Sequence, residues 1–259
     1  MPTTLSLAPH IPVSQGRTII KPWWRSTLCC GLFDLALAAY IANDVKYTNI
    51  AICKQVEVLL EYATQHKASD DKVFSNVGEF FDMHRMLEFA TYIIQKSEDD
   101  ERLALFRHFE PSLITWSTFE ELETLLLHRE LNEYVVFPYE PAYQHSEEKY
   151  RENNGYHFLH FGLILPGFTS SGRYKILQTS RGRTVKKPVY RPFRLFHTVT
   201  AHDLEIANAK TLDRGYKWLL QFPWKKYKGV KTQNFTRSTP PKYSPYNARN
   251  LALRLTQKG

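Results

Sequence analysis

The chain has little of what several classes of protein require. Three cysteines among 259 residues are too few for a disulfide framework, which favours a reducing, cytoplasmic environment. Only 11 glycines and no repeat exclude a collagen-like chain. The most apolar stretch, Leu28 to Ala42, contains Asp34 and is shorter than the roughly 20 residues that a membrane span needs. We therefore expect no membrane partner.

Carboxylates are almost absent from the second part of the chain. Residues 153–259 hold 20 Lys and Arg but three acids, a net charge of +17, whereas residues 1–152 hold 14 basic and 23 acidic residues, a net charge of −9. Self-repulsion destabilises a region of one charge sign. The positive charge is therefore expected to be compensated by the acidic first part, by a polyanion or by an acidic membrane surface.

Apolar spacing in the first part of the chain is typical of helices. The 36 aromatic residues of the whole chain exclude general disorder and supply material for a core. Apolar residues recur at intervals of three and four, and two segments begin with capping-box spacing. The pattern predicts about five helices, at Leu28–Asn43, Asn49–His66, Asn76–Lys96, Asp99–His108 (stopped by Pro111) and Ser117–Leu131.

The second part of the chain is richer in strand signals. Aromatic and aliphatic runs bounded by Gly and Pro predict strands at Tyr134–Pro138, Tyr156–Leu165, Arg173–Thr179 and Val185–Val199. Residues 180–183 are predicted as a charged hairpin tip. Helices are predicted at Ala201–Phe222, capped by Thr200, and at Asn247–Leu255.

These elements predict an α+β fold, in which a helical part precedes a small antiparallel β-rich part with a basic C-terminal tail. We divide the chain into an extended arm at 1–27, an acidic helical region at 28–132, and a basic β-rich region with a C-terminal helix and tail at 133–259. The two larger regions can also form one composite domain.

Basic and aromatic residues alternate in two clusters of the second part. Spaced cations can neutralise successive phosphates, and exposed aromatic rings can stack on unpaired bases. Aromatics that alternate along a strand also commonly belong to the core. The candidate cationic contacts are Arg173, Lys175, Arg181, Arg183, Lys186, Lys187, Arg191, Arg194, Lys225, Lys226, Lys228 and Lys231. The candidate stacking residues are Tyr190, Trp218, Trp224 and Tyr227.

The leading hypothesis is a protein that binds nucleic acid, either RNA or DNA. It would act as a non-catalytic subunit of a larger nucleoprotein assembly and would have protein partners there. The helical region would contact other proteins, and the basic region would hold the phosphate backbone. No cofactor is expected. Zinc-ligand spacing is absent, and the turn between Gly167 and Gly172 lacks the Lys and the following helix of a nucleotide-binding loop.

Two alternatives remain open. The first is a metal-independent nuclease that uses one of four histidines, His157, His160, His197 or His202, as a general acid or base. The second is a structural or interaction protein whose basic part docks on an acidic protein.

Overall fold

The computed structural model describes residues 29–75, 78, 80, 82–139, 160–167, 172–177, 196–209 and 248–259. These residues form helices and one antiparallel sheet, and the predicted α+β class is confirmed. The predicted arm at 1–27 lies outside the described residues.

The helices fall into two groups along the chain. The first group is α1 (Cys30–Ala42), α2 (Asn49–Gln65), α3 (Met83–Lys96) and a short 3₁₀ helix (Glu101–Phe106). Later in the chain come α4 (Phe119–Leu127) and α5 (Ala201–Ala209).

Six strands form the sheet. They are β1 (Phe109–Thr115), β2 (Glu133–Tyr139), β3 (His160–Ile164), β4 (Tyr174–Leu177), β5 (Phe196–Val199) and β6 (Leu251–Gln257). Their order across the sheet is β1-β6-β2-β3-β4-β5, and every neighbouring pair is antiparallel. The last strand of the chain therefore lies between β1 and β2, and the sheet takes strands from both sides of residue 132.

The sheet has a hydrophobic core on each face. On the front face, α1 and α3 pack on the strands and α2 packs on those two helices. On the back face, α4 and α5 cover a second cluster that contains Trp116, Phe137 and Ile176. Because both faces are covered, six of the seven residues of β2 are buried. A strand covered on both faces is apolar almost throughout rather than alternating.

Local sequence accounts for the two helices that pack on the front face. Every residue of α1 from Cys30 to Ala39 is buried, which explains why this helix has almost no polar side. Helix α3 buries Met83, Met86, Phe89, Ala90 and Ile93, one helical stripe, and leaves its other side polar. The three cysteines are buried and form no disulfide.

The predicted start of the third helix at Asn76 is wrong. Helix α3 begins seven residues later at Met83, where the Asp82 carboxylate accepts a hydrogen bond from the His84 amide at 2.8 Å. Gly78 has a φ of +86°, in the left-handed region that interrupts a helix. The predicted helix therefore contains a positive-φ position that local spacing did not reveal.

The prediction of a helix at Asp99–His108, stopped by Pro111, is also inaccurate. This segment is a 3₁₀ helix of six residues, and Pro111 lies inside β1. Strand β1 was not predicted, and it forms one edge of the sheet. Proline is tolerated on an edge strand because the missing N–H removes no bond within the sheet.

Three further boundaries, at the two ends of α4 and at the end of β2, differ by a few residues. Helix α4 is capped by Thr118 rather than Ser117, since the Thr118 hydroxyl accepts a hydrogen bond from the Glu121 amide at 3.3 Å. This helix ends at Leu127, four residues before the predicted end. Pro138 does not terminate β2, which continues to Tyr139.

The predicted C-terminal helix at Asn247–Leu255 is wrong, because Leu251–Gln257 is strand β6. Its residues pair with β1 from Phe109↔Gln257 to Thr115↔Leu251, and with β2 on the other side. Leu and Arg are strong helix formers, and here the pairing with two strands overrides that preference.

The predicted strands of the second part are found where the structure describes them, as β3, β4 and β5. Thr200 caps α5 as predicted, and its hydroxyl oxygen accepts a hydrogen bond from the Asp203 amide at 3.1 Å. The predicted hairpin tip at 180–183 and the helix beyond Ala209 lie outside the described residues.

Gly162 on β3 is expected to tolerate no side chain. A Cβ atom at this position would lie 2.6 Å from Ile176 Cδ1 and 3.1 Å from Tyr139 Cε1, both in the buried core. Although Ala is normally preferred to Gly within a strand, we expect Gly162→Ala to lower the free energy of unfolding by about 1–3 kcal/mol, measured in urea. Gly259→Ala, with no atom within 4 Å, is the control. Unchanged or increased stability of Gly162→Ala would contradict the prediction.

Candidate nucleic-acid interface

The candidate interface is centred on the sheet edge formed by β4 and β5. These strands pair from Tyr174↔Val199 to Leu177↔Phe196. Paired residues of antiparallel strands have Cα atoms roughly 5 Å apart. Residues 178–195, which follow Leu177 and precede Phe196, are therefore attached to the sheet by two adjacent ends. This basic segment contains six Lys and Arg and no acid, and it lies outside the described residues.

The structure describes only two of the predicted contact residues, and both lie at this edge. Lys175 is a partly exposed residue of β4, paired with Thr198 of β5. Arg173 directly precedes β4 and is also partly exposed. The structure thus places two predicted cations on the strand that leads into the basic segment.

The other fourteen predicted contact residues lie outside the described residues. Seven belong to the basic segment, namely Arg181, Arg183, Lys186, Lys187, Tyr190, Arg191 and Arg194. The remaining seven belong to residues 210–247, namely Trp218, Trp224, Lys225, Lys226, Tyr227, Lys228 and Lys231.

Asp203 is an acidic group beside the candidate interface. Its Oδ2 lies 3.9 Å from a guanidinium nitrogen of Arg173 and accepts hydrogen bonds from the amide and hydroxyl of Thr200. Burial acts to raise the pKa of Asp203, but these hydrogen bonds and the charge of Arg173 outweigh it and lower the pKa. Asp203 therefore stays ionised at neutral pH and offsets part of the positive charge of Arg173.

Arg129 is a further cation near this edge that the sequence analysis did not single out. Its two Nη atoms donate hydrogen bonds to the carbonyl oxygens of Ile164 and Leu165, at 3.2 Å and 2.5 Å. Burial lowers its pKa to about 10, so the guanidinium remains charged at neutral pH. Burial also raises the pKa of Tyr174, while the charge of Arg129 acts in the opposite direction. Arg129 adds a positive charge beside the end of β3.

Acidic residues of the first part pair partly with basic residues of the second. Arg254 on β6 lies 3.1 Å from Glu133 of β2, and Lys258 lies 3.3 Å from Glu110 of β1. These two contacts are on the β1 side of the sheet, away from the β4–β5 edge. These two ion pairs between the first and second parts of the chain therefore lie at the side opposite the candidate interface, where Asp203 pairs with Arg173.

The three histidines of the nuclease hypothesis that the structure describes, His160, His197 and His202, lie on three different elements. The register across β3, β4 and β5 aligns His197 with Ile164, four residues from His160. With strand spacings of about 4.8 Å and a rise of about 3.4 Å per residue, the two histidine backbones are roughly 17 Å apart. His202 on α5 is exposed, and its ring packs edge-on against Phe119 at 5.6 Å. His157 lies outside the described residues.

Asp34 is a second ionisable residue whose setting the sequence analysis did not recognise. Its side chain is fully buried in α1, and its carboxyl oxygens accept no hydrogen bond from the described part of the chain. Burial raises the pKa of Asp34 well above its ordinary value. Burial also raises the pKa of Tyr139, and the charges of Asp34 and Cys30 add to that effect. The sequence signal that could have revealed this setting is the presence of a single acid within an otherwise apolar predicted helix.

Neither a membrane-spanning helix nor a cluster of metal ligands is present among the described residues. No helix among them is both long enough and apolar enough to cross a bilayer. Within the same residues, no three His, Cys, Asp or Glu side chains come together in a way that could hold a metal ion.

Comparison of the chain with protein-family models, with curated proteins and with solved structures gives no match.

Proposed function

We propose that this protein binds nucleic acid through the phosphate backbone, using the basic segment carried by β4 and β5, and that it acts as a non-catalytic subunit of a larger nucleoprotein assembly. The observation that carries the proposal is the absence of carboxylates from Asn153 to His202, a stretch that includes the candidate sheet edge. No carboxylate lies within this stretch itself, and Asp203, which pairs with Arg173, is the residue directly after it.

The position of the strands supports the proposal. Since β4 and β5 pair at one edge of a sheet with a core on each face, both ends of the basic segment are held by a rigid framework. Functional loops are commonly presented in this way by a packed scaffold. Arg173 and Lys175 extend the row of cations onto the framework itself.

The distribution of acids also supports the proposal. Several acidic side chains, among them Asp70, Glu88 and Asp100, pair with cations on or beside the first group of helices. Ion pairs within that part of the molecule leave its acids less able to compensate the basic segment. A phosphate polymer is then the partner that suits spaced cations, because its negative charges also recur at regular intervals. Release of the counterions of the polymer favours association.

The proposal is tested by titrating binding against salt. We expect Arg181→Ala/Arg183→Ala/Lys186→Ala/Lys187→Ala to weaken binding to single-stranded or duplex RNA or DNA and to flatten the salt dependence. Each lost phosphate contact reduces the slope of log K against log salt by about 0.7–0.9. Loss of all four contacts would reduce the slope by roughly 3, while urea unfolding should show a stability change within about 0.5 kcal/mol.

A matched pair of variants separates this effect from a general loss of charge. Lys186→Ala/Lys187→Ala removes two cations from the basic segment, and Lys67→Ala/Lys96→Ala removes two exposed lysines from the helical side. Only the first variant should change the slope. Equal slopes for the wild type and the first variant would remove the basic segment from the interface.

Two other outcomes would replace the proposal. Failure to bind any nucleic acid at low salt, together with capture of an acidic protein that nucleic acid does not displace, would favour a protein partner. Cleavage by the pure protein, abolished by a single substitution of His157, His160, His197 or His202 with binding retained, would favour a nuclease.

A further inference from the structure

Long connections of the second part of the chain join the sheet at one end. The registers align one residue of each strand in a single row, namely Leu113, Leu253, Val136, Leu163, Leu177 and Phe196. On one side of this row, β2 ends at Tyr139 and β6 begins at Leu251. Residues 140–159 connect β2 to β3 at this end, and residues 178–195, the basic segment, connect β4 to β5 there. We call it the Arg249 end of the sheet, after the residue two positions before β6.

A second group of basic residues begins and ends at the same place. Residues 210–247, which we call the second basic segment, hold nine Lys and Arg and one acid. They follow Ala209, the last residue of α5, and precede Ala248. Asn208 Nδ2 donates hydrogen bonds to the carbonyl oxygens of Ala248 and of Pro138, near the end of β2, each at 2.9 Å. Both ends of the second basic segment are therefore attached at the Arg249 end.

Positive charge exceeds negative charge at this end of the sheet. The basic segment has six Lys and Arg and no acid, whereas residues 140–159 have two basic and four acidic residues. The three segments together hold 17 Lys and Arg and five Asp and Glu, a net charge of +12. Glu120 and Glu121 in the first turn of α4 also lie at this end, because α4 follows β1. These two acids offset only a small part of the excess.

Arg249 is an exposed cation of the described structure at this end. The backbone is fixed on both sides of it, because Asn208 binds the Ala248 carbonyl and accepts a hydrogen bond from the Asn250 amide at 2.7 Å. The Asn250 carbonyl accepts a further hydrogen bond from the Trp116 amide at 3.4 Å. None of the ion pairs within the described part of the chain includes Arg249. A fixed backbone reduces the entropy that a contact of this side chain would cost.

Arg249 and the basic segment are close enough to contact one polymer. Strand β4 lies three positions from β6 in the sheet, which corresponds to about 14 Å at 4.8 Å per strand. Arg249 is four residues before Leu253, which shares a row with Leu177, so it lies about 13 Å further along the strand direction. The Cα atoms of Arg249 and Leu177 are then roughly 20 Å apart, and one strand of a duplex presents about six phosphates over that length.

We propose that one nucleic-acid molecule passes over the Arg249 end of the sheet and contacts the basic segment, Arg249 and the second basic segment together. This inference rests on the function proposed above, and it adds the path of the polymer and a phosphate contact at Arg249. The planar guanidinium group can donate two parallel hydrogen bonds to a phosphate. Because one framework carries all three groups, the second and third contacts form within a complex that already exists, which strengthens the binding.

The experiment extends the salt titration to variants at the two ends of β6. Arg249→Ala removes a cation at the Arg249 end, and Lys258→Ala, the matched control, removes an exposed cation just after the other end of the same strand. Lys225→Ala/Lys226→Ala removes two cations from the second basic segment. The probes are RNA and DNA single strands of about 20 nucleotides and the corresponding duplexes, roughly 68 Å long.

We expect Arg249→Ala to reduce the slope of log K against log salt by about 0.7–0.9, and Lys225→Ala/Lys226→Ala to reduce it by about 1.4–1.8. Arg249→Ala/Lys186→Ala/Lys187→Ala should reduce the slope by about 2.1–2.7, because three contacts to the same polymer are lost. Lys258→Ala should leave the slope unchanged. Sedimentation of the labelled probe with excess protein and with excess probe should show one oligonucleotide per protein molecule.

The outcomes separate this inference from the function on which it rests. A wild-type slope for either Arg249→Ala or Lys225→Ala/Lys226→Ala, with a reduced slope for Lys186→Ala/Lys187→Ala, would overturn the shared path and leave nucleic-acid binding by the basic segment intact. Two oligonucleotides per protein molecule would also overturn it, because they would reveal separate sites. Wild-type slopes for all of these variants would overturn the proposed function together with the inference.

Discussion

Replacement of Asn208 by leucine is expected to lower the free energy of unfolding by about 3–5 kcal/mol. The Asn208 side chain is fully buried on α5, and its Nδ2 donates hydrogen bonds to the carbonyl oxygens of Pro138 and Ala248, each at 2.9 Å. Its Oδ1 accepts a hydrogen bond from the Asn250 amide at 2.7 Å. Leucine has a similar volume but would leave three polar groups without these partners.

The consequence of this loss should extend beyond global stability. Asn208 ties α5 to the end of β2 and to the turn before β6, and α5 directly follows β5. We expect amide hydrogen exchange of the Asn208→Leu variant to increase most in α5 and β5. Asn208→Asp keeps the acceptor but places a buried carboxyl oxygen against the carbonyl oxygens of Pro138 and Ala248, so it should also lose stability. His202→Ala, exposed on the same helix, should change it by no more than about 0.5 kcal/mol. Equal stabilities of Asn208→Leu and His202→Ala would contradict the prediction.

Replacement of Asp34 by leucine should increase the stability of the protein, in contrast to replacement of Asn208. The carboxyl group is fully buried, and the described residues offer it no hydrogen-bond partner to compensate for its removal from water. An unsatisfied buried polar group costs about 1–3 kcal/mol. We therefore expect Asp34→Leu to raise the free energy of unfolding by about that amount at neutral pH. Asp44→Asn, at an exposed acid with a φ of 51° that asparagine also accepts, should leave stability unchanged.

The pH dependence of the free energy of unfolding should also reflect the burial of the Asp34 carboxyl group. Because burial raises the pKa of Asp34 above its ordinary value of 3.8, the folded state holds this proton more tightly than the unfolded state. The favourable contribution of protonated Asp34 to the free energy of unfolding is fully present below pH 3.8. It is lost as the pH rises through the folded-state pKa of Asp34. The pKa of Asp70 is shifted in the opposite direction. A hydrogen bond from Arg85 lowers its pKa to about 2, and its contribution is lost as the pH falls.

A comparison with Asp34→Asn isolates the buried acid. Asparagine does not titrate, and contributions from Asp70 are common to both proteins and cancel in the difference. We expect the stability of Asp34→Asn relative to the wild type to increase from about pH 4 upwards and then to level off, in urea titrations at a series of pH values. A difference that stays constant over this range would show that Asp34 titrates alike in the folded and unfolded states.

Local patterns predicted two helices closely, α1 and α2, and some strands correctly. The bounds of α1 and α2 follow from apolar spacing over more than ten residues, which is the most informative signal in a single sequence. The cap of α5 at Thr200 was also evident, because a hydroxyl and a carboxylate three residues apart satisfy the first amides of a helix by themselves.

The errors have a common physical cause. Strands β1 and β6 were missed because each depends on a partner more than a hundred residues away, as the register Leu113↔Leu253 shows. No local pattern carries that information, and the Leu, Ala and Arg of β6 prefer helices when considered alone. Only Arg173 and Lys175 of the predicted contact residues fall within the described residues. The remainder of the interface stays a prediction.

The sequence by itself determined the separation of charge, since the scarcity of carboxylates after residue 152 is a property of the covalent chain and no folding can alter it. The tertiary structure decided which other residues lie close to the charged ones. Pairing of β6 between β1 and β2 placed the last strand of the chain between two strands from its middle, and packing of α1 against the sheet and its neighbouring helices buried Asp34. Those properties arise from contacts between distant segments, which depend on packing and not on local composition.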